Sequence, residues 1–381
     1  MAKLSEIFDL QMGKTPARSN SGYWTAGTNR WVSIADLSGY EKYVEDTRER
    51  VTDRAVRESG IKAVPPNTVI MSFKLSLGKT AITREAVYTN EAIMAFIPKG
   101  RYEIFPDYFF YLFSEKDWSE GTNRAVMGAT LNKAALGKME VSVPPIEVQR
   151  HAAAVLDRTT DLISLHRRQL AGLDELVRAR FAEMFGEIHS SKRYPYRAVG
   201  ELAAVVSGGT PSRAVAEYWE GGTIPWVKTT QLQNSRITAA DEYITRAGLE
   251  HSAAKMVPAG TVLVAMYGQG KTRGMTAYLD IEASTNQACA CILPSEGINQ
   301  VYLWQYLAFS YERLRNLSKG GNQLNLSSGM VKKFPVLLPP APLQNEFAAF
   351  FQRTDRQKTV IRQSLGKLEA LKRSLMRHYF G

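Results

Sequence analysis

Three Gly-Lys-Thr triplets are the residues with the most obvious chemical potential: Gly13-Lys14-Thr15, Gly78-Lys79-Thr80 and Gly270-Lys271-Thr272. In a phosphate loop, backbone N–H groups wrap the phosphates and a lysine reaches them, and the pattern opens on an earlier glycine, G-x-x-x-x-G-K-[ST]. That earlier position holds Phe8, Phe73 and Ala265, so ATP hydrolysis is not expected of this chain. DNA methylation would call for an Asp- or Asn-Pro-Pro-aromatic loop around a flipped base. The Pro-Pro pairs here read Val143-Pro144-Pro145-Ile146 and Leu338-Pro339-Pro340-Ala341, without the polar group or the ring. Gly268-Gln269-Gly270 only weakly echoes a glycine turn for a methyl-donor nucleotide. The spaced acids Asp36, Glu41, Glu45, Asp241 and Glu242 do not form the carboxylate cluster followed by lysine that nuclease chemistry uses.

Metal chemistry is equally poorly served. Cys289 and Cys291 stand two apart on an expected strand, facing one side as small apolar residues. Two cysteines cannot make a disulfide framework and suit a reducing cytoplasm. The five histidines are scattered and none makes a ligand pair with a cysteine. No enzyme constellation remains.

The balance of 48 basic to 37 acidic residues gives a formal charge of +11, which favours a polyanionic partner. With 44% hydrophobic and 22% charged residues over 381 positions, the chain has an ordinary globular composition and room for two or three domains. No apolar run is long enough to span a bilayer, and the start meets Glu6 before any apolar stretch, unlike a signal peptide.

A duplication organises these residues. Gly13-Lys14-Thr15-Pro16 recurs as Gly208-Gly209-Thr210-Pro211, Tyr23-Trp24 as Tyr218-Trp219, and Trp31-Val32 as Trp226-Val227, each 195 positions on. Val64-Pro65 returns as Val257-Pro258, Gly78-Lys79-Thr80 as Gly270-Lys271-Thr272, and Leu131-Asn132 is matched to Leu324-Asn325. Pro144-Pro145 with Gln149 answers Pro339-Pro340 with Gln344, and Phe185-Gly186 answers Phe380-Gly381. One unit is written twice.

Each unit changes texture part-way. The early part is rich in Gly, Pro, Thr and aromatics, with β-branched runs such as Thr261-Val262-Leu263-Val264, and predicts strands joined by turns. Pro106 to Phe113 and Val301 to Phe309 read as helices packed on that sheet. From Ile146 to Phe185 there is no proline, and Leu156, Ile163, Leu170, Val177 and Met184 fall every seven residues, with Leu162, Leu173 and Leu176 widening the stripe. Phe347, Ile361, Leu368 and Leu375 share a heptad phase broken by Thr354. Two long helices with apolar stripes predict a coiled coil, each opened by a Pro-Pro pair where proline is tolerated. The expected organisation is a first domain at 1–144, a long helix at 145–186, a linker at 187–195, a second domain at 196–339 and a second long helix at 340–381. The resulting α+β dumbbell would have approximate two-fold symmetry.

Taken in order, Gly-x-Thr-Pro, Tyr-Trp, Ile224-Pro225-Trp226-Val227, Gly-Lys-Thr, Thr285-Asn286-Gln287-Ala288, Leu324-Asn325-Leu326 and Leu337-Leu338-Pro339-Pro340 before a long helix resemble the specificity subunit of type I restriction–modification systems. The resemblance covers both copies and is closer in the second; the first has Arg30 where Pro225 stands. It implies two target-recognition domains, each a mixed sheet with helices, separated by two long antiparallel helices that set the gap between the halves of a split, asymmetric DNA target. It also implies docking of two methyltransferase subunits, with motor-nuclease subunits joining through them. No catalysis, metal or cofactor would belong to this chain, because S-adenosylmethionine, and ATP with Mg, bind the partners.

Phosphates call for Lys or Arg, guanine edges for Arg or Lys, and adenine edges for Asn or Gln. The expected DNA contacts are therefore Lys14, Arg18, Lys74 and Lys79 in the first domain. In the second they are Arg213, Lys228, Gln231, Gln269, Lys271 and Arg273, with Lys319, Asn322 and Gln323 in a late loop. Tyr267 could pack on a sugar or base. Trp24, Trp31, Trp219 and Trp226, present in both copies, are assigned to the framework. Two other functions compete: the specificity chain of a related system whose partner fuses methylation and cleavage, and a coiled-coil scaffold for non-DNA partners.

Overall fold

The computed structural model describes residues 1–74, 76–118, 131–268, 270–317 and 325–381, with backbone alone at 123–125 and 128–130. Its contacts divide into two compact units, Met1–Arg167 with Gln363–Gly381, and Arg168–Arg362. Both mix β-sheet with helix.

In the first unit, an antiparallel sheet runs Phe8–Met12, Ile93–Pro98, Val69–Ser72, Thr80–Ile82. Its strands are apolar almost throughout because both faces are covered. On one side lies the aromatic helix Pro106–Glu115, whose Phe109 and Phe113 meet Phe8 edge to face. On the other lie Val32, Leu37, Val64 and Val87. A smaller mixed sheet orders Glu49–Val51, Asn29–Val32 and Tyr88–Thr89.

The second unit repeats this plan. Its larger sheet runs Val205–Ser207, Cys289–Ile292, Val262–Ala265, Thr276–Leu279, Ser235–Ile237, the last pair parallel. Its smaller sheet runs Glu242–Ile244, Ile224–Val227, Ala283–Thr285, Met256–Val257. Cys289 and Cys291 share one buried cluster, and burial pushes the Cys291 thiol up to about 11, where it stays protonated at neutral pH. Among the described residues, no group of His, Cys, Asp or Glu could hold a metal ion, and no helix is long and apolar enough to cross a membrane.

The long helices span Ile146–Phe185 and Ala341–Phe380. Composition suggests cutting the chain where they begin. Burial cuts it inside them, because each helix half packs into a sheet unit's core: Leu156 and Met376 in the first, Val177, Phe181 and Phe347 in the second. Within each unit the two halves run antiparallel. His166 meets Ser364 and Arg167 pairs with Glu369 in the first; Asp174 pairs with Lys358 and Arg180 with Glu346 in the second. The heptad leucines are not uniform. Leu156, Ile163 and Val177 are buried, but Leu162 and Leu176 are 45% and 49% exposed, so they do not widen the buried stripe as expected. Thr354 keeps its heptad place and is buried, its hydroxyl satisfied by the Phe350 carbonyl.

The Pro-Pro-to-glutamine motif explains how each helix starts. Gln149 is fully buried; its amide donates to the Glu103 and Pro144 carbonyls and its oxygen accepts the Phe105 N–H at 2.9 Å. Gln344 repeats two of these contacts, donating to the Pro339 carbonyl and accepting the Asn299 N–H. A buried amide left unpaired is costly, so these contacts fix the long helix against the segment leading into the aromatic helix.

Candidate nucleic-acid interface

Strand register gathers the expected contact residues at one end of each larger sheet. In the first unit Met12 opposes Met94, and Ser72 opposes Ile93, so the segments after Met12 and Ser72 and the turn before Ile93 leave the same end. Lys14, Arg18, Lys74 and Lys79 all belong to them. In the second unit Ser207 opposes Ala290 and Ala265 opposes Cys289, which brings out the segments carrying Arg213, Tyr267, Lys271 and Arg273. The smaller sheet adds Lys228 and Gln231 there, because Asn286 donates its N–H to the Val227 carbonyl just before them.

The chain that follows the late loop is anchored at the same end. The Leu131 N–H donates to Phe73 and the Leu326 N–H to Met266, and each leucine precedes a helix-capping side chain, Asn132 or Ser327. The structural partner of Leu131-Asn132 is therefore Leu326-Ser327, correcting the match to Leu324-Asn325: backbone anchorage and cap, not residue identity, set the equivalence. Gln269, Lys319, Asn322 and Gln323 lie outside the described residues.

The Gly-x-Thr-Pro loops are held tightly. A methyl group at Gly13 would come within 2.2 Å of the Asn90 carbonyl, and one at Gly208 within 2.1 Å of the Thr285 carbonyl, so only glycine fits. The next residues tie the loop to the turn beside it, Thr15 donating to Glu91 and Thr210 to Gln287. The Trp31 indole N–H donates to the Lys14 carbonyl and Trp24 to Ala17; Trp226 donates to Gly209 and Trp219 to Ser212. The paired indoles meet edge to face at 5.1 Å and 5.0 Å. These contacts give the four tryptophans a framework role.

Several of the expected contacts already have partners. Arg18 lies 3.9 Å over Trp24 and bonds Glu49 through both terminal nitrogens; that carboxylate holds its pKa above the ordinary value. Arg213 lies 3.5 Å over Trp219 and shares Glu242 with Lys228. The Lys228 ammonium, partly opposed by burial and then aided by Arg213, holds the Glu242 carboxyl below its ordinary 4.5. Gln231 spans its own loop, reaching Ala239 and Asp241 at 3.4 Å, as its counterpart Asp36 accepts from Ser33 and Arg48. Lys14 donates to the Ser59 carbonyl but remains exposed, and Lys74 lies 5.2 Å from the Phe73 ring. Lys79 and Lys271, equivalent by repeat, are exposed on matching connections. Tyr267 is 41% exposed on the same connection as Lys271. The glutamate partners went unseen in the sequence because the repeat slips register between each tryptophan and its acid. Only strand pairing shows that Trp31 opposes Glu49 as Trp226 opposes Glu242.

The family model for the type I restriction modification DNA specificity domain matches residues 1–175 and 192–372. The chain belongs to that specificity family. Its sequence is similar to the type I restriction enzyme MjaIX specificity subunit of Methanocaldococcus jannaschii, at 22% identity over 373 residues, covering 92% of this chain and 85% of the relative. It is also 22% identical over 187 residues to the EcoR124I/EcoR124II specificity subunit of Escherichia coli, covering 48% of this chain and 46% of the relative. In fold it resembles the type I S subunit from M. genitalium, with TM-score 0.66 at 12% identity, covering 100% of this chain and 95% of the other. A chain from a structural study of type I system assembly and conformational transition gives 0.59 at 15% identity, covering 100% and 96%. The specificity family supplies the activity class, DNA target recognition within a restriction–modification system.

Proposed function

We propose that this specificity-family member reads a bipartite, asymmetric DNA target, the loop end of each unit contacting one half, and docks two methyltransferase subunits without catalysing a step itself. The observation that carries this reading is the repeated convergence of cation-bearing loops at one end of each larger sheet. Lys14, Lys74 and Lys79 would supply phosphate or guanine contacts in one half, and Lys228, Lys271 and Arg273 in the other, with Gln269, Lys319, Asn322 and Gln323 nearby in sequence. Arg18, Arg213 and Gln231, engaged within their own units, would act on DNA through the loops they hold. Half-exposed Leu162, Leu165, Leu176, Val360 and Leu371 on the long helices offer apolar surface for the methyltransferase subunits. S-adenosylmethionine, and ATP with Mg where a restriction subunit joins, would be bound by the partners, and the assembly would work in the cytoplasm.

The test is single-molecule methylation sequencing of DNA from cells expressing this chain with its methyltransferase, against cells lacking this chain. A new motif of two short halves with a fixed gap supports the proposal. One continuous motif, or no new modification, refutes it.

A further inference from the structure

We propose that Arg18 and Arg213 are positioning residues. Each closes a clamp of two tryptophans and a glutamate over the Gly-x-Thr-Pro loop of its own unit, so that each clamp governs discrimination in one half of the target. The inference rests on the two-half reading above.

The geometry recurs in both units, with Lys228 added on the glutamate of the second. The two indole N–H groups staple the loop at two carbonyls, Lys14 and Ala17 in one unit, Gly209 and Ser212 in the other. The guanidinium covers the outer indole and lies 4.9 Å or 5.1 Å from the inner one. The glutamate that fixes it stands directly across the strand pair from the inner tryptophan, Glu49 opposite Trp31 and Glu242 opposite Trp226. Arg18 is stacked on an indole and forked onto Glu49, and Arg213 is stacked and bonded to one oxygen of Glu242 while Lys228 takes the other, so each guanidinium is engaged within its own unit rather than on a base edge. Two units that read different sequences would also have no reason to share a base-reading arginine, whereas a shared loop needs the same fastening. The arginine side chains are 51% and 53% exposed, so opening a clamp leaves the core closed. Exposed cation–π contacts and exposed ion pairs each shift an equilibrium by only about two- to fivefold. That is enough to loosen a loop and too little to unfold a unit.

The test uses the complete complex with its methyltransferase and compares wild type with Arg18→Ala, Arg18→Lys, Glu49→Gln and Arg213→Ala. Methylation sequencing reads discrimination at each target position, and amide hydrogen exchange reads loop order at 14–20 and 209–215. Arg18→Ala should relax one half by roughly tenfold and Glu49→Gln the same half by about two- to fivefold, with Arg213→Ala relaxing the other half by roughly tenfold and assembly unchanged. Exchange should quicken only in the altered unit. Arg18→Lys should recover little, because an ammonium neither stacks flat nor forks, and it serves with Glu49→Gln should the alanine variant fail to fold. Unchanged exchange, or one substitution relaxing both halves equally, overturns the proposal. A wild-type complex without a split motif instead defeats the two-half reading, and the exchange measurement still decides whether the clamp orders the loop.

Discussion

The same crevice is filled in one unit and open in the other. In the first unit, where the aromatic helix meets the long-helix pair, Lys42 bonds Asp107 and Asp157, Tyr43 donates to Asp107 and Tyr111 to Asp157. Burial works against the Lys42 charge, but the two carboxylates outweigh it and raise its pKa. Register aligns Tyr43, bridged to Ile82, with Arg236, paired to Tyr278, so Lys42 corresponds to Ser235. Tyr111 and Asp157 correspond to Gln305 and Gln352, since Gln149 and Gln344 fix both helix starts alike. Ser235, Arg236, Gln305 and Gln352 line an open groove of about 1160 Å³, in which Arg236 turns to Asp280. A shared frame thus tolerates either a buried ionic knot or a polar groove. What both units keep is the fastening: the buried glutamine, the glycine against a carbonyl, the tryptophan pair and the arginine clamp. What they change lies in the crevice and at the loop end.

The largest effect that this contrast predicts comes from cutting the knot. Lys42→Met leaves the largely buried Asp107, with the part-exposed Asp157 beside it, without their cation and should destabilise the first unit by roughly 3 kcal/mol. Hydrogen exchange would show the loss confined to that unit, while Ser235→Met in the second should cost little. Equal losses would mean that the crevices are not the distinction they appear on register.

Next in size, Gln149→Leu and Gln344→Leu should each cost about 2 kcal/mol, through carbonyls and an N–H left buried and unpaired. Chemical denaturation monitored in each unit should give similar values, since the two glutamines share the bond to the Pro-Pro carbonyl and the bond from the segment before the aromatic helix. A marked inequality would break the equivalence of the two helix starts.

A smaller effect sharpens the difference at the loop ends. Lys228 shares one glutamate with Arg213, a surplus cation, where the first unit has Ser33. Lys228→Gln should flatten the dependence of log affinity on log salt by about 0.9, the release of one counterion, without relaxing specificity. An unchanged slope would remove Lys228 from the phosphate contacts.

The smallest is a pH effect. The folded Glu242 carboxyl titrates below its ordinary 4.5, so the unfolded chain binds that proton more readily. Its stabilising contribution is present above about 4.5 and drains away as pH falls through the lowered value. Glu242→Gln should remove this part of the second unit's acid sensitivity. An acid titration of unfolding that keeps its wild-type shape would contradict the pairing.

Much of this was legible in the sequence, for a physical reason. Helices announce themselves by composition and period, and the long helices observed, Ile146–Phe185 and Ala341–Phe380, enclose the stretches that the heptads mark. Tryptophan, glycine and Pro-Pro anchors repeat because they build the frame, and so the duplication is visible without coordinates. Partners across strands are a different matter. Glu49 and Glu242 lie beyond loops of unequal length, and Lys42 meets residues far along the chain, so neither linear spacing nor charge counts could pair them with Arg18, Arg213 or Asp157. Leu131 illustrates the same limit: its true counterpart, Leu326, is defined by what its N–H reaches. The loop-end lysines could be chosen by type, but only register brought them together.

The most direct test of the central claim, that each loop end serves one half of a split target, is methylation sequencing with two sets of substitutions in the assembled complex. One set is Lys14→Gln, Lys74→Gln and Lys79→Gln together, and the other is Lys228→Gln with Lys271→Gln. The account predicts weakened methylation with relaxed discrimination confined to one half for the first set and to the opposite half for the second. A loss spread over both halves by either set, or discrimination untouched by both, would contradict it.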